Sequence, residues 1–191
     1  MATIISDREY TPDDLRRMPD GGRFELVNGQ LVESDMGAFA CWVVTLIIAK
    51  LSNFAIEHSL GMVMSSETQY QCYADDPRRI RKPDVSFIHR SRVTADIMHG
   101  FVRIAPDLVV EVVSDNDLYY EVETKVREYL QAGVRLVWVL NPATSSVRIY
   151  RLAGPVSEVS LGEDLSGQEV LPGFLVPVAT LFQAPPSDAA L

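Results

Sequence analysis

The chain has 191 residues, 47% of them hydrophobic, so it can bury a sizeable core, and no shift of composition or internal repeat argues for a second domain. Its formal net charge of -9 weighs against a general nucleic-acid binder, because phosphate binding normally rests on clustered Lys and Arg. Two cysteines, Cys41 and Cys72, stand without CxxC spacing or a neighbouring His, which excludes a zinc set and points to a reduced, cytoplasmic protein without a disulfide.

The first ten residues carry Asp7, Arg8 and Glu9 where a secretory signal would have a basic and then an apolar run. Thr11-Pro12-Asp13-Asp14 places a capping side chain, a proline at the first helical position and early acids, predicting a short helix over 12–17 that "PDGG" ends. In "RFELVNGQLVES" apolar residues alternate on both sides of Asn28-Gly29, the signature of a tight hairpin with strands of about 23–27 and 30–34.

From Phe39, apolar residues recur at Val43, Leu46, Ile47, Leu51 and Phe54, one face of a helix running to about Glu57. Its most apolar part, Ala38 to Ala49, is shorter than the roughly 20 residues that span a bilayer, so it reads as a buried helix and no membrane partner is expected. A strand near 62–73 follows. "PDVSFIH" and "DLVVEVVS" give two more, separated by an irregular stretch from Arg90 to Ala105. Asp117 opens a helix that runs through Ala132, with Val122, Val126, Tyr129 and Leu130 on one side and Gly133 closing it. "RLVWVLN" is a further strand, and short β segments with Gly and Pro turns over 152–191 lead into a loose "APPSDAA" tail. Hairpin, helix, three strands, helix and strand suit an α/β or α+β fold, a mixed sheet with helices on its faces, in one domain over 1–191.

The chemically odd residue is Glu111, set between Val109-Val110 and Val112-Val113. Side chains alternate along a strand, so Asp107, Val109, Glu111 and Val113 share one face and Leu108, Val110 and Val112 the other. Both faces are apolar, as in a central strand, where an unpaired carboxylate would cost several kcal/mol. A positive partner is therefore expected. Arg103 or Arg135 could supply it, or the strand end could open to water. Alternatively, Asp84 at the head of the preceding strand and Glu111 could bring hard oxygen ligands to one point, suited to Mg2+ or Mn2+, with Lys125 from the following helix beside them. Lys125 could equally pair with Glu121 on a solvated helix face.

At this point "RKPDVSFI", "PDLVVEVVS" and "ETKVREYLQAGVRLVWVLNP", with "GGRFELVNGQLVE" before them, resemble in order the Uma-two family of restriction endonucleases, within the PD-(D/E)XK nuclease superfamily. The likeness covers about residues 23–151. It implies a restriction-endonuclease-like central sheet and a Mg2+- or Mn2+-dependent phosphodiesterase acting on DNA, in which Asp84 and Glu111 hold the metal and Lys125 assists. The chain departs from the superfamily pattern at Val113, where the lysine of E-x-K would stand, and Lys125 fits a position for it migrated to the helix. Asn141 replaces an Asp common before Pro142, and no histidine opens the long helix near Ala40. A second reading, from a different class, is a noncatalytic nuclease-fold protein that binds nucleic acid or a protein.

"RRIRK", with Arg78, Arg79, Arg81 and Lys82 just ahead of Asp84, offers a local phosphate-contacting patch or else a solvated loop paired with Asp75 and Asp76. Glu25 could extend the metal site from the hairpin or be an exposed strand carboxylate. His58, His89 and His99 have no metal spacing, Ser114 lacks a nucleophile elbow and reads as a turn residue, and Trp42 and Trp138 read as core. A homodimer would help to cut both strands, but no interface is legible in the sequence.

Overall fold

The computed structural model describes residues 3–4, 8–33, 36–115 and 117–185. It builds from strands β1 (Thr3–Ile4), β2 (Glu25–Val27) and β3 (Gln30–Glu33) and helices α1 (Pro12–Arg17) and α2 (Ala38–Glu57). Strands β4 (Gly61–Ser65), β5 (Val85–His89) and β6 (Leu108–Val112), helix α3 (Tyr119–Gln131) and strand β7 (Leu136–Asn141) follow. Strands β8 (Ser146–Arg151), β9 (Ser157–Ser160), β10 (Asp164–Ser166) and β11 (Leu175–Pro177) complete the chain.

Strands β4 to β9 form a six-stranded sheet in sequence order, antiparallel throughout except for the parallel pair β6–β7 that flanks α3. Every residue of β6 is buried, as its unbroken apolar run requires of a strand covered on both faces. Period-two alternation then divides the two layers. Leu108, Val110 and Val112 pack with Val43, Ile47 and Leu51 of α2, with Trp138, and with the C-terminal β10–β11 hairpin. Val109 packs with Val126 and Tyr129 of α3 and with Val137 and Val139 of β7. Glu111 shares parity with Val109 and so belongs to the α3 face.

The 20-residue α2 is long and apolar enough to cross a membrane by length and composition alone. Here its stripe of Ala40, Val43, Ile47, Leu51 and Ala55 covers the sheet instead.

Short-range signals account for most boundaries. Thr11 and Asp14 form the expected capping box, with Pro12 at the start of α1. Asn28 (φ 50°) and Gly29 (φ 76°) both take positive φ, as a two-residue hairpin turn of the favoured twist demands. Gly133 (φ 98°) ends α3, and the Val134 N–H reaches back to the Tyr129 carbonyl at 3.0 Å.

Three expectations are corrected. The strand over 62–73 stops at Ser65, because β4 pairs with β5 only from Gly61 opposite His89 to Ser65 opposite Val85. Beyond it Tyr70 makes isolated bridges to Arg81 and Val102. The first hairpin strand begins at Glu25, since Gly21–Arg23 forms a 3-10 turn, and the second is described to Glu33, Ser34 lying outside the described residues. Helix α3 begins at Tyr119, not Asp117, whose carboxylate turns back to accept from the Ser114 backbone N–H (2.7 Å) and hydroxyl (2.9 Å). Ser114 thus has the expected turn role. The part of the tail from 186 onward lies outside the described residues.

Candidate active site

Register brings the acids together. Val85 pairs with Val110 across the antiparallel β5–β6 ladder, so one step further along it Asp84 stands opposite Glu111. Like charges directly opposite each other repel. Asp84 is anchored by the Val112 N–H, which donates to its Oδ2 at 2.7 Å. Glu111 is 6% exposed; one oxygen accepts from the Tyr129 hydroxyl at 2.6 Å and the other from Lys125 Nζ at 3.2 Å. Lys125 and Tyr129 are one helical turn apart on α3, so both reach the same strand position.

The positive neighbour anticipated for Glu111 is therefore Lys125. Arg135 lies instead 4.0 Å from Asp107, which is bound more closely by Arg92 at 2.8 Å. Lys125 also lies 3.8 Å from Glu25, in place of the exposed pairing with Glu121.

Glu25 is buried, not an exposed strand carboxylate. Reciprocal backbone bonds between Leu26 and Ile80, at 2.9 and 2.8 Å, dock the hairpin against the segment leading to Asp84. Glu25 then accepts from the Lys82 N–H and from Arg81 Nη1, each at 2.8 Å. Arg81, 5% exposed, continues the chain of charges through Nε to Glu128 at 2.7 Å, and Glu128 lies 3.5 Å from Arg79.

This revises the expected basic patch. Arg81 points inward to Glu25 and Glu128, Arg79 lies between buried Glu128 and the loop acids Asp75 and Asp76, the pairing weighed as the alternative, and Lys82 is tied to the Gly22 carbonyl. Arg78 remains at the surface, 3.8 Å from Glu9. Ile80 joins the small core under the hairpin, so the residues on either side of it in the bridged segment face the other way.

The charges do not balance within the cleft. Arg79, Arg81 and Lys125 serve Glu25, Glu111 and Glu128, which leaves Asp84 as the fourth acid against three cations. Burial, then the charge of Glu111, hold its carboxyl well above the usual range. Glu111 is also raised, by burial chiefly, against the opposing pull of Lys125 and Tyr129. Glu25 is lowered, because Lys125 and Arg81 outweigh the effect of its burial. Burial alone would strip Lys125 of its proton, but Glu111, Glu25 and Asp84 raise its pKa and keep it an ammonium.

Chemically, this is a crowded acid pair short of positive charge with a fixed ammonium beside it. No group of three His, Cys, Asp or Glu side chains among the described residues is set as a ready-made metal cage. Two carboxylates suffice for Mg2+, which keeps much of its water and is commonly held by one or two of them together with substrate phosphate. The surplus charge on Asp84 fits such a cation. A cleft of about 240 Å³ opens over these residues, walled by Val27, Val32 and Met36 on the hairpin side, by Val113 just past β6, and by Tyr120 and Val122 of α3.

Sequence reasoning missed Glu128. Its signal was present, since residues 121, 125 and 128 follow i, i+4, i+7 along the edge of the apolar stripe of α3.

Comparison with known proteins agrees with this architecture. The model of the Uma2 family, described as "Putative restriction endonuclease", matches residues 12–179. A solved structure described as "a putative nuclease belonging to DUF820" from Anabaena variabilis superposes with a TM-score of 0.79 at 15% identity, covering 91% of this chain and 97% of that one. At that identity the likeness speaks for the fold. A search of curated proteins finds no match.

Proposed function

The chain belongs to the Uma2 restriction-endonuclease family, and on that premise we propose that it is a Mg2+- or Mn2+-dependent endonuclease that hydrolyses phosphodiester bonds in DNA. The observation that carries the proposal is the meeting of Asp84, Glu111 and Lys125 in one cleft, with Lys125 Nζ 3.2 Å from Glu111.

Asp84 and Glu111 would hold the divalent ion. When bound, such an ion lowers the pKa of its water towards neutrality and screens phosphate from the acids. Lys125 stays charged within the cleft, where its ammonium can orient a water molecule or offset the negative charge that grows on the phosphate oxygens in the transition state. Glu25 restrains that ammonium from the hairpin side, and Arg81 with Glu128 holds Glu25. Tyr129 fixes the Glu111 carboxylate by its 2.6 Å hydrogen bond. A side chain fixed in this way pays less reorganisation when the reaction begins.

The test is nicking of supercoiled plasmid with Mg2+, Mn2+ or chelator, comparing the parent with Glu111→Ala and Lys125→Ala. Metal-dependent nicking lost in both variants supports the assignment. Equal nicking by all three proteins would trace the activity to a contaminant, and an inactive parent that still binds DNA would favour the noncatalytic alternative.

A further inference from the structure

Tyr120 is a large side chain left 64% exposed at the mouth of the cleft that holds Asp84, Glu111 and Lys125. Its neighbours Leu118 and Tyr119 are exposed as well, at 36% and 70%. Of the three, Tyr120 is the one that lines the cleft. The cleft behind Tyr120 carries an apolar wall of Val27, Val32, Met36, Val113 and Val122 beside its charged residues Glu25, Arg81, Asp84, Glu111, Asp117, Glu121 and Lys125. The acids lie at its floor, where Glu111 is 6% exposed.

Two further facts bear on what could enter. A space of about 240 Å³ is closer to one nucleotide than to a stretch of duplex, whose paired bases stay inside the double helix. The source of affinity is also constrained. Arg79 and Arg81 spend their charge on Asp75, Glu25 and Glu128 and the chain carries a net -9, so phosphate attraction alone gives little hold on a duplex. Proteins that take single strands draw affinity from base stacking on aromatic side chains as well as from charge, and stacking needs an unpaired base.

We propose that the cleft takes an unpaired nucleotide, its base lying on Tyr120 and against the apolar wall of Val27, Val32, Met36 and Val122, so that the substrate is single-stranded or locally opened DNA. The inference rests on the nuclease reading for the position of the phosphate, which must lie over Asp84 and Glu111. Tyr119, one residue earlier on the helix, is not among the residues that line the cleft.

The test measures binding and cleavage separately. A short labelled DNA is presented as a single strand, a blunt duplex and a duplex with a central bubble, with Ca2+ present, and binding is followed by fluorescence anisotropy. Single strand and bubble are expected to bind about tenfold tighter than duplex, within the range for one base–aromatic stack. Tyr120→Ala should remove most of that difference, while Tyr120→Phe and Tyr119→Ala should keep it. At 64% exposure Tyr120 can be replaced without opening the core, and a thermal melt of each variant checks this. Equal affinity for single strand and duplex, no binding of either, or parent-like binding by Tyr120→Ala overturns the inference.

Cleavage of the same three DNAs with Mn2+ separates the two ideas. The expected binding pattern without any cleavage upholds the unpaired-base site and sinks the nuclease. Duplex cut as fast as single strand, with Tyr120→Ala behaving as the parent, upholds the nuclease and sinks the unpaired-base site.

Discussion

Arg81→Met is the substitution that most directly tests how the site is held. The methionine keeps most of the length and apolar contact of the side chain but removes a guanidinium that binds Glu128 through Nε at 2.7 Å and Glu25 through Nη1 at 2.8 Å. Removing one partner of a buried ionic group typically costs about 3–5 kcal/mol, because the acids left behind stay buried. The low end applies here. Glu25 keeps the Lys82 N–H at 2.8 Å and Lys125 at 3.8 Å, and Glu128 keeps Arg79 at 3.5 Å. A loss of about 3 kcal/mol is expected, or roughly 6–12 °C in Tm for a chain of this size. Urea unfolding followed by the fluorescence of buried Trp138 measures it. Adding Glu128→Gln should recover part of the loss, since one stranded charge is then gone. Stability within about 0.5 kcal/mol of the parent, together with weakened DNA binding, would refute the reasoning and return Arg81 to the surface as a phosphate contact.

Glu111→Gln keeps the shape that meets Lys125 and Tyr129 but removes the charge, so the variant should fold normally and lose Mn2+ affinity; calorimetric titration with parent-like binding would contradict Glu111 as a ligand. For Asp84 the pKa is raised in the folded state, by burial first and Glu111 second. Between the unfolded value near 3.9 and that raised value, the native protein holds a proton the unfolded chain has released, so stability falls as pH rises through the window. Asp84→Asn should flatten that fall and raise the Tm of the metal-free protein at pH 7, and a Tm no higher than the parent's would count against the surplus charge. At Gly61 an added Cβ would lie 2.1 Å from the Ile88 carbonyl oxygen and 3.0 Å from the Arg90 N–H nitrogen, both backbone atoms. Gly61→Ala is expected to destabilise by about 1–3 kcal/mol in urea melts, and a neutral result would mean that the β4–β5 edge yields more easily than this packing suggests.

What could be read in the sequence is what depends on neighbours in the chain. The capping box at Thr11, the Asn28-Gly29 turn and the Gly133 helix end each follow from a few adjacent residues and stand where local chemistry puts them. The buried strand around Glu111 was legible because both of its faces are apolar. Contacts set by docking were not legible. Glu25 reads like any hairpin residue facing water, and it is the Leu26–Ile80 bridge that brings Arg81 and Lys82 against it. The same bridge turns Arg81 inward. A run such as "RRIRK" shows its charge but not its direction. The pairing of Asp84 with Glu111 depends on strand register, which is fixed by packing over the whole sheet. From the residues alone that pairing was one alternative among several, and the family resemblance favoured it.

The placement of Lys125 follows from three constraints that act in succession. Parity along β6 assigns Glu111 to the face shared with Val109. Because β6 and β7 are parallel, the chain between them must cross from one end of the sheet to the other, and the connecting α3 covers that same face through Val126 and Tyr129. On α3, only residues in register with the apolar stripe but at its edge can meet a strand end that opens to a cleft. Lys125 and Tyr129, one turn apart, occupy that edge and both reach Glu111. A lysine at position 113 would share the same face of the strand, so moving the ammonium to the helix keeps it on the side of the sheet that bears the acids. The ammonium is then tied to a second carboxylate, Glu25, which the hairpin brings from outside the central sheet. Chemistry that a strand motif would supply from within one strand is here assembled from β2, β6, α3 and the residue before β5. Its geometry therefore depends on how the hairpin docks through Leu26 and Ile80 as much as on the strand that carries Glu111.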